Sequence, residues 1–372
     1  MNILRSMWRN LSNAPGKRIM RKILIFESDD WGSIRMPSVN SYERLEKSGL
    51  DLISIDAGRY NLNDTLATSH DLESLFEVLS NFKDINGNSA VFTPVSIVAN
   101  PNFQKIKESN FREYFFEPFT ETLRRYKGCE GSFELWKEGI EKKLFVPQMH
   151  GREHLNVSAW MKALQAGDNH TLLAFNEGMW GFVPDNYPDV DYQAAFLLMD
   201  PDELKYQKIV IAEGLQLFEK LFGYRAEYFV PPNGPFNNSL NETLAKSGIK
   251  FMNVAKIQHE PLGFGKKRKV FHYLGQKEKN GITYITRNCF FEPSQIGKDW
   301  VDSCLKDINI AFRWHKPAII SSHRVNYIGA LSSVNRDNGL FQLSKLIQGI
   351  IKNWPDVEFM TTPQLGALMN ED

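Results

Sequence analysis

No stretch of about 18 apolar residues occurs in this 372-residue chain, which leaves no candidate for a membrane-spanning helix. The first twenty residues carry Arg5, Arg9, Lys17 and Arg18 but lack the apolar core of a secretory signal, so a cytoplasmic location is expected. Cysteine is scarce: Cys129, Cys289 and Cys304 are odd in number, widely separated and without CxxC spacing, which argues against a disulfide framework or zinc ribbon. Charge of one sign is also lacking. Lys+Arg and Asp+Glu both number 44, so no basic footprint points to nucleic acid. Repeats, low-complexity tracts and flexible linkers are absent, and a single domain spanning 1–372 is expected.

What does recur is a short apolar run followed by an amphipathic stretch. The runs are Ile23–Phe26, Ala90–Val98, Leu144–Met149, Tyr228–Val230, Phe251–Ala255, Ile282–Thr286, Ala318–Ile320 and Val357–Met360. Continuous apolar character rich in Ile, Val and Phe is the mark of strands buried on both faces. Leu72, Leu75, Phe76 and Leu79 follow helical spacing behind a cap at Thr68 or Ser69. Leu204, Ile211, Leu215, Phe218 and Phe222 mark a second helix, closed by Gly223. Trp300 to His315 and Leu340 to Trp354 read as two more. Strand alternating with helix predicts a parallel sheet, and seven or eight such units predict closure into an α/β barrel, with an open doubly wound sheet as the alternative. Two stretches fit poorly, about 101–143 and about 156–199, and are read as insertions on the barrel.

Four runs end in polar or turn-forming residues: Glu27-Ser28-Asp29-Asp30-Trp31-Gly32, His150-Gly151-Arg152-Glu153-His154, Pro231-Pro232-Asn233-Gly234 and Ser321-Ser322-His323. Barrel enzymes place their sites at such C-terminal strand ends. His150 and His154 are four apart, and two imidazoles with a carboxylate make a good site for Zn²⁺ or a similar ion. Adjacent Asp29 and Asp30 repel at a buried strand end unless a cation or proton is shared; the plainer reading is that one of them caps a helix.

Together these segments resemble the metal-dependent polysaccharide deacetylase family, the NodB-homology group of carbohydrate esterases. Asp29-Asp30 keeps the two acids of the family's first motif, and His150 through His154 matches its His-Ser/Thr-x-x-His motif with Gly151 in the hydroxyl position. Val230-Pro231-Pro232-Asn233-Gly234 matches the third motif in part, Asp299-Trp300 the fourth, and Ile320-Ser321-Ser322-His323 the fifth. The resemblance implies a distorted (β/α)7-8 barrel of the glycoside hydrolase/deacetylase type. It implies one divalent ion, Zn²⁺ ahead of Co²⁺, Ni²⁺ or Mn²⁺, on Asp30, His150 and His154. Asp29 would be the general base, His323 the general acid and Asp299 its orienting partner, though Asp299 also reads as an ordinary helix cap. Trp31, Pro232, Asn233, Trp300 and Arg324 would contact substrate, which would be an acylated sugar, oligosaccharide or lipid-linked sugar. The expected reaction is removal of an acyl group, an N-acetyl first, with metal-bound water as nucleophile.

Departures from the family pattern stand beside these matches. Val230 replaces the third-motif arginine that normally holds the catalytic aspartate, and Arg225, Arg287 or Arg324 are candidates to replace it in space. Asn233 replaces an aromatic residue, and the long gap between Asp30 and His150 implies an insertion. The aromatics Trp160, Trp180, Phe182, Tyr187 and Tyr192 either line a sugar cleft or simply pack their loop. Lys266-Lys267-Arg268-Lys269 reads as a solvated hairpin tip. Two competing functions remain at this stage: a zinc metallopeptidase using His150, Glu153 and His154 in a His-x-x-Glu-His motif, and a non-catalytic carbohydrate-binding protein of the same fold.

Overall fold

The computed structural model describes residues 9–53, 57–182, 184 and 190–371. Each of the eight apolar runs contributes a strand to one parallel sheet: β1 (Lys22–Trp31), β2 (Phe92–Ile97), β3 (Gln148–Gly151), β4 (Tyr228–Phe229), β5 (Phe251–Asn253), β6 (Thr283–Ile285), β8 (Ala318–His323) and β9 (Val357–Phe359). A ninth, β7 (Cys289–Phe290), is too short to leave a periodic signal. Strand order along the hydrogen bonds is β6-β5-β4-β3-β2-β1-β8-β7, while β9 pairs with Lys22–Leu24 at the start of β1. Every residue of β2 and β6 is buried, which accounts for the absence of polar alternation in those runs.

The two ends of this path, β6 and β7, are separated in sequence only by residues 286–288. Across a flat sheet of eight strands, edges would lie roughly 34 Å apart at about 4.8 Å per strand. Four chain steps span at most about 14 Å. The sheet therefore curls until its edges meet, and the run 283–290 bonds first to β5 on one edge and then to β8 on the other. An open doubly wound sheet is ruled out by that connection. Residues 286–288 cross the seam, so a side chain there enters the barrel from a gap in the pairing.

Inside the curl, Ile23, Ile25, Val95, Val230, Ile285 and Ile319 form one apolar cluster. Outside it, the helix Ser69–Ser80 buries Leu72, Leu75, Phe76 and Leu79, and Thr68 caps it in a reciprocal box with Asp71. The helix Glu203–Phe222 ends at Gly223 with φ +78°, a conformation glycine adopts without a Cβ clash. The helix Ser333–Asn353 begins well before Leu340, because the one apolar side chain of its first two turns, Val334, is exposed and leaves no periodic signal.

Residues 101–143 carry the helices Phe103–Glu108, Phe119–Leu123 and Ser132–Glu141, and residues 156–199 carry Val157–Gln165 and Asn169–Asn176. Trp160, Trp180, Phe182 and Tyr192 belong to the same contiguous core as Leu24 and Phe26. They pack the loop and do not line a cleft; Tyr187 lies outside the described residues. Lys266–Lys269 are solvent-exposed beside the tip of a hairpin, on the strand Lys266–Phe271 paired antiparallel with Ile257–Gly263 around a turn at 264–265. The three cysteines are free and buried. No described helix is long and apolar enough to cross a membrane.

Candidate metal and acid–base centre

β1 carries Asp29 and Asp30 to the C-terminal mouth of the curl. The β1–β2 register slips between Ser28 and Trp31, and Asp30 takes φ +74°, a left-handed conformation that aspartate tolerates better than most residues. That kink lets two carboxylates that a regular strand would send to opposite faces border the same cleft. Asp30 turns towards β3, where His154 Nε2 lies 3.1 Å and His150 Nε2 3.4 Å from its Oδ1.

The arrangement fits a divalent ion. Ligands about 2.1 Å from a tetrahedral ion stand about 3.4 Å from each other, close to the two distances observed. His150 Nε2 and His154 Nε2 are buried and form no hydrogen bond of acceptable geometry, although Asp30 is within reach. Buried polar atoms normally find partners, and lone pairs aimed at a common point between groups produce this pattern. His150 is oriented from behind, its Nδ1–H donating to the Val230 carbonyl at 2.7 Å, the outer hydrogen bond typical of a metal-binding histidine. The His154 backbone carbonyl accepts from Trp180 Nε1 at 2.9 Å. Among the described residues, no other group of three His, Cys, Asp or Glu side chains brings ligand atoms this close together.

Asp29 faces a different partner. Arg287, on the seam, donates from both terminal nitrogens to the two Asp29 oxygens at 2.6 Å each, and from Nε to Glu27 Oε2 at 2.5 Å. Glu27 is held in turn by the Tyr228 hydroxyl at 2.9 Å and the Thr362 hydroxyl at 2.7 Å. Of the three arginines that could replace the one missing at Val230, Arg287 is the one in place. Arg225 pairs with Glu219 on the surface, and Arg324 is fully buried in a two-pronged ion pair with Asp64. Burial works against the Asp29 charge, but Arg287 outweighs it and holds the carboxyl below its usual range.

His323, at the end of β8, stands across the mouth. Its Nδ1–H donates to Glu292 Oε1 at 2.5 Å, while Glu292 Oε2 accepts from Arg59 at 2.8 Å and Asn326 at 2.9 Å. Burial alone would lower the imidazole pKa, but the Glu292 carboxylate raises it to about 9. The ring is therefore charged at neutral pH. With 27% of its side chain exposed, against 2–3% for His150 and His154, it is the histidine free to meet a substrate. Tyr60 packs edge-on against it with ring centroids 5.7 Å apart.

Several expected roles are corrected by these contacts. Asp299 is exposed and accepts from the Asp302 amide as the N-cap of Trp300–Arg313; Glu292 occupies the position beside His323. Replacing Asp299 with alanine is accordingly expected to cost about 1 kcal/mol of stability by thermal melting and to leave any pH profile unchanged. Trp31 is buried edge-on against Trp136 and Phe145, and Trp300 is buried with its Nε1 on the Gln295 carbonyl. Arg324 braces the core through Asp64 and the Ser33 carbonyl, and Pro232 is buried. None of these four borders the cleft. Asn233 does, exposed at φ +54° and donating to Asp191 at 2.6 Å. For the peptidase motif, His150 sits on a strand and not on a helix, and Glu153 is tied to Arg152 at 2.7 Å and the Tyr114 hydroxyl at 2.9 Å, away from the cleft.

The cleft itself encloses about 560 Å³ and is bordered by Asp29, Asp30, His150, Arg287 and His323. Glu27, Arg59 and Glu292 were not assigned to the site by sequence, and Arg287 was offered only as one of three arginines that could replace the one missing at Val230. Of the three not assigned, only Glu27, two residues before the paired acids on a buried strand, carried a usable signal.

No protein-family model matches the chain, and no curated protein matches it in sequence. Solved structures do. One from Parabacteroides distasonis, described as a glycoside hydrolase/deacetylase, aligns over 95% of this chain and 72% of its own at 10% identity and a TM-score of 0.49. Proteins described as polysaccharide deacetylases align from Mycobacterium smegmatis (11% identity, 96% and 94% of the two chains, TM-score 0.47) and Pseudomonas aeruginosa PAO1 (8%, 94% and 91%, TM-score 0.44).

Proposed function

We propose that the chain is a metal-dependent hydrolase that removes an acyl group, an N-acetyl first, from a sugar or sugar-containing precursor. The observation that carries this reading is the convergence of Asp30, His150 and His154 between two acid–base groups of opposite charge state, Asp29 and His323. A divalent ion on the three ligands supplies Lewis acidity, lowering the pKa of a water and polarising an acyl oxygen.

The chain's own groups complete the chemistry. Asp29, kept ionised by Arg287, takes the proton from the attacking water as the new bond to the acyl carbon forms. Arg287 fixes the carboxylate in one orientation through two parallel hydrogen bonds. His323, kept protonated by Glu292, gives its proton to the departing amine or alcohol as the C–N or C–O bond breaks. Products are the free sugar amine or hydroxyl and a carboxylic acid. The sugar assignment rests on the motif resemblance, whereas the acid–base assignment rests on geometry. The missing third-motif arginine was the motive for a non-catalytic reading, and the two bonds from Arg287 to Asp29 support the catalytic one.

Elemental analysis of purified protein, paired with acetate release from a panel of acetylated sugars, tests the proposal. About one Zn²⁺ or similar ion per chain and acetate from at least one sugar are expected. A metal content near zero after metal-replete purification rejects it.

The same reading fixes a pH dependence. A general acid must hold its proton, so the alkaline limb of kcat/KM should lie near the His323 pKa of about 9. Glu292→Gln removes the charge that raises this pKa, and the limb should move to lower pH, towards or below the ordinary value of 6.5. Stability follows the same sign. A raised histidine pKa stabilises the fold fully below about pH 6.5, and that contribution is lost as pH rises through about 9. A limb unmoved in Glu292→Gln removes His323 from the role of acid.

A further inference from the structure

Beside the catalytic cleft lies a second hollow of about 550 Å³. The two share Ser12, Asn13, Lys256 and Asn288, so they meet at a common waist. That waist is polar: Lys256 Nζ donates to the Ser12 carbonyl at 2.7 Å, and Asn288 donates to Asn13 at 3.1 Å. Beyond it the character changes. Leu11, Pro15, Ile257, Phe271, Tyr273 and Leu274 border the second hollow. Phe271 is 68% exposed and Tyr273 46%, although both are large and apolar. Ile257 and Phe271 are direct cross-strand partners at the base of the hairpin formed by Ile257–Gly263 and Lys266–Phe271, so their side chains share one face. Single exposed apolar residues need no explanation, but several around a hollow that adjoins the cleft at four shared residues mark a binding groove.

We propose that this groove is the subsite for a hydrocarbon chain, making the substrate an amphiphilic glycoside. Its acylated sugar occupies the cleft at Asp29 and His323, and its alkyl or polyprenyl portion runs past Lys256 and lies along Ile257, Phe271 and Tyr273. This rests on the hydrolase reading and narrows it. The complementarity has three successive parts. Charged acid–base groups meet the reacting amide or ester, a polar collar meets the linkage, and an apolar trough meets the chain. A free polysaccharide, hydroxylated along its whole length, would leave the trough exposed to water and gain nothing from it.

The test uses the metal-loaded full-length chain carrying Asp29→Asn, so that turnover does not consume the probe. Dissociation constants are measured by calorimetry for methyl and octyl 2-acetamido-2-deoxy-β-D-glucopyranoside, below the micelle concentration of the latter. Burying even a quarter of the added methylenes should make the octyl glycoside about tenfold tighter. Phe271→Ser/Tyr273→Ser, at exposed positions where folding is not at stake, should erase the preference while leaving the methyl glycoside unchanged. Ile257→Glu should do the same. Equal affinity for the two glycosides, or a preference that survives both sets of variants, overturns the groove assignment. Wild-type protein separates the two levels of inference. If the groove alone is wrong, both glycosides are deacetylated with the same KM. If the hydrolase reading is wrong, neither is deacetylated, whatever the binding preference.

Discussion

His150→Ala is expected to reduce bound metal from about one ion per chain to near zero. It is also expected to lower acyl hydrolysis by at least about 10²–10³-fold, as loss of several kcal/mol of Lewis-acid assistance requires. Without an ion, Asp30 and two buried imidazoles face one another, and His150 Nε2 and His154 Nε2 lack hydrogen-bond partners. Binding of an ion to this cluster is therefore linked to folding. At about a thousandfold excess over its dissociation constant, the ion adds about 4 kcal/mol of stability. Thermal melts with and without EDTA should separate clearly for the wild type and coincide for His150→Ala. Unchanged metal content in that variant, measured by inductively coupled plasma spectrometry, would place the ion elsewhere.

The second large effect is expected at Arg287. Its guanidinium is the shared counter-ion of two buried carboxylates, Glu27 and Asp29, with side-chain exposures of 0% and 8%. Arg287→Met keeps much of the volume and removes the charge. Breaking a buried ion pair from one side costs about 3–5 kcal/mol, because the charges left behind have neither water nor partner. The sign of the pH dependence identifies the cause. In the wild type, Arg287 depresses the Asp29 pKa, so its stabilisation is present above about pH 4 and is lost as pH falls through the lowered value. In Arg287→Met the same carboxyl prefers its neutral form, and the deficit against wild type should shrink in acid. Arg287→Lys keeps a charge but cannot reproduce two parallel bonds to Asp29 together with a third to Glu27, and should recover only part of the loss. Activity should fall by about 10²–10⁴-fold in Arg287→Met through loss of a correctly held base. Urea unfolding at several pH values checks the first claim, and steady-state kinetics the second. A variant as stable as wild type at neutral pH would show that Arg287 is not the counter-ion on which this buried cluster depends.

These two sites differ in how visible they were in the sequence. The metal-binding residues are local: His150 and His154 are four apart on one strand-to-loop transition, and Asp30 follows a continuous apolar run. The acid–base partners are not local. Asp299 attracted attention because it precedes an apolar helix and matches a motif, but an aspartate in that position is satisfied by the helix's own unpaired amide, as its bond to Asp302 shows. Glu292, which does hold His323, follows a two-residue strand and resembles nothing in particular. Arg287 was one of three arginines with equal claims. Choosing among them required knowing that residues 286–288 cross the seam of the sheet. The aromatics of the 156–199 stretch were ambiguous for a related reason, since periodicity reports that a residue is apolar and not which surface it meets.

The amino-acid sequence by itself determined eight of the nine strands of the sheet, the main helices between them and their order. Unbroken apolar runs require strands covered on both faces, amphipathic stretches between them require helices, and paired acids and imidazoles at strand ends require a counter-charge. Tertiary structure alone decided which partners those groups received. Curling the sheet brings its two edge strands, β6 and β7, close enough to be joined by only three residues, and so sets Arg287 against Asp29. Pairing strengths of this kind depend on distance and burial, which are properties of closure in three dimensions and leave no periodic trace along the chain.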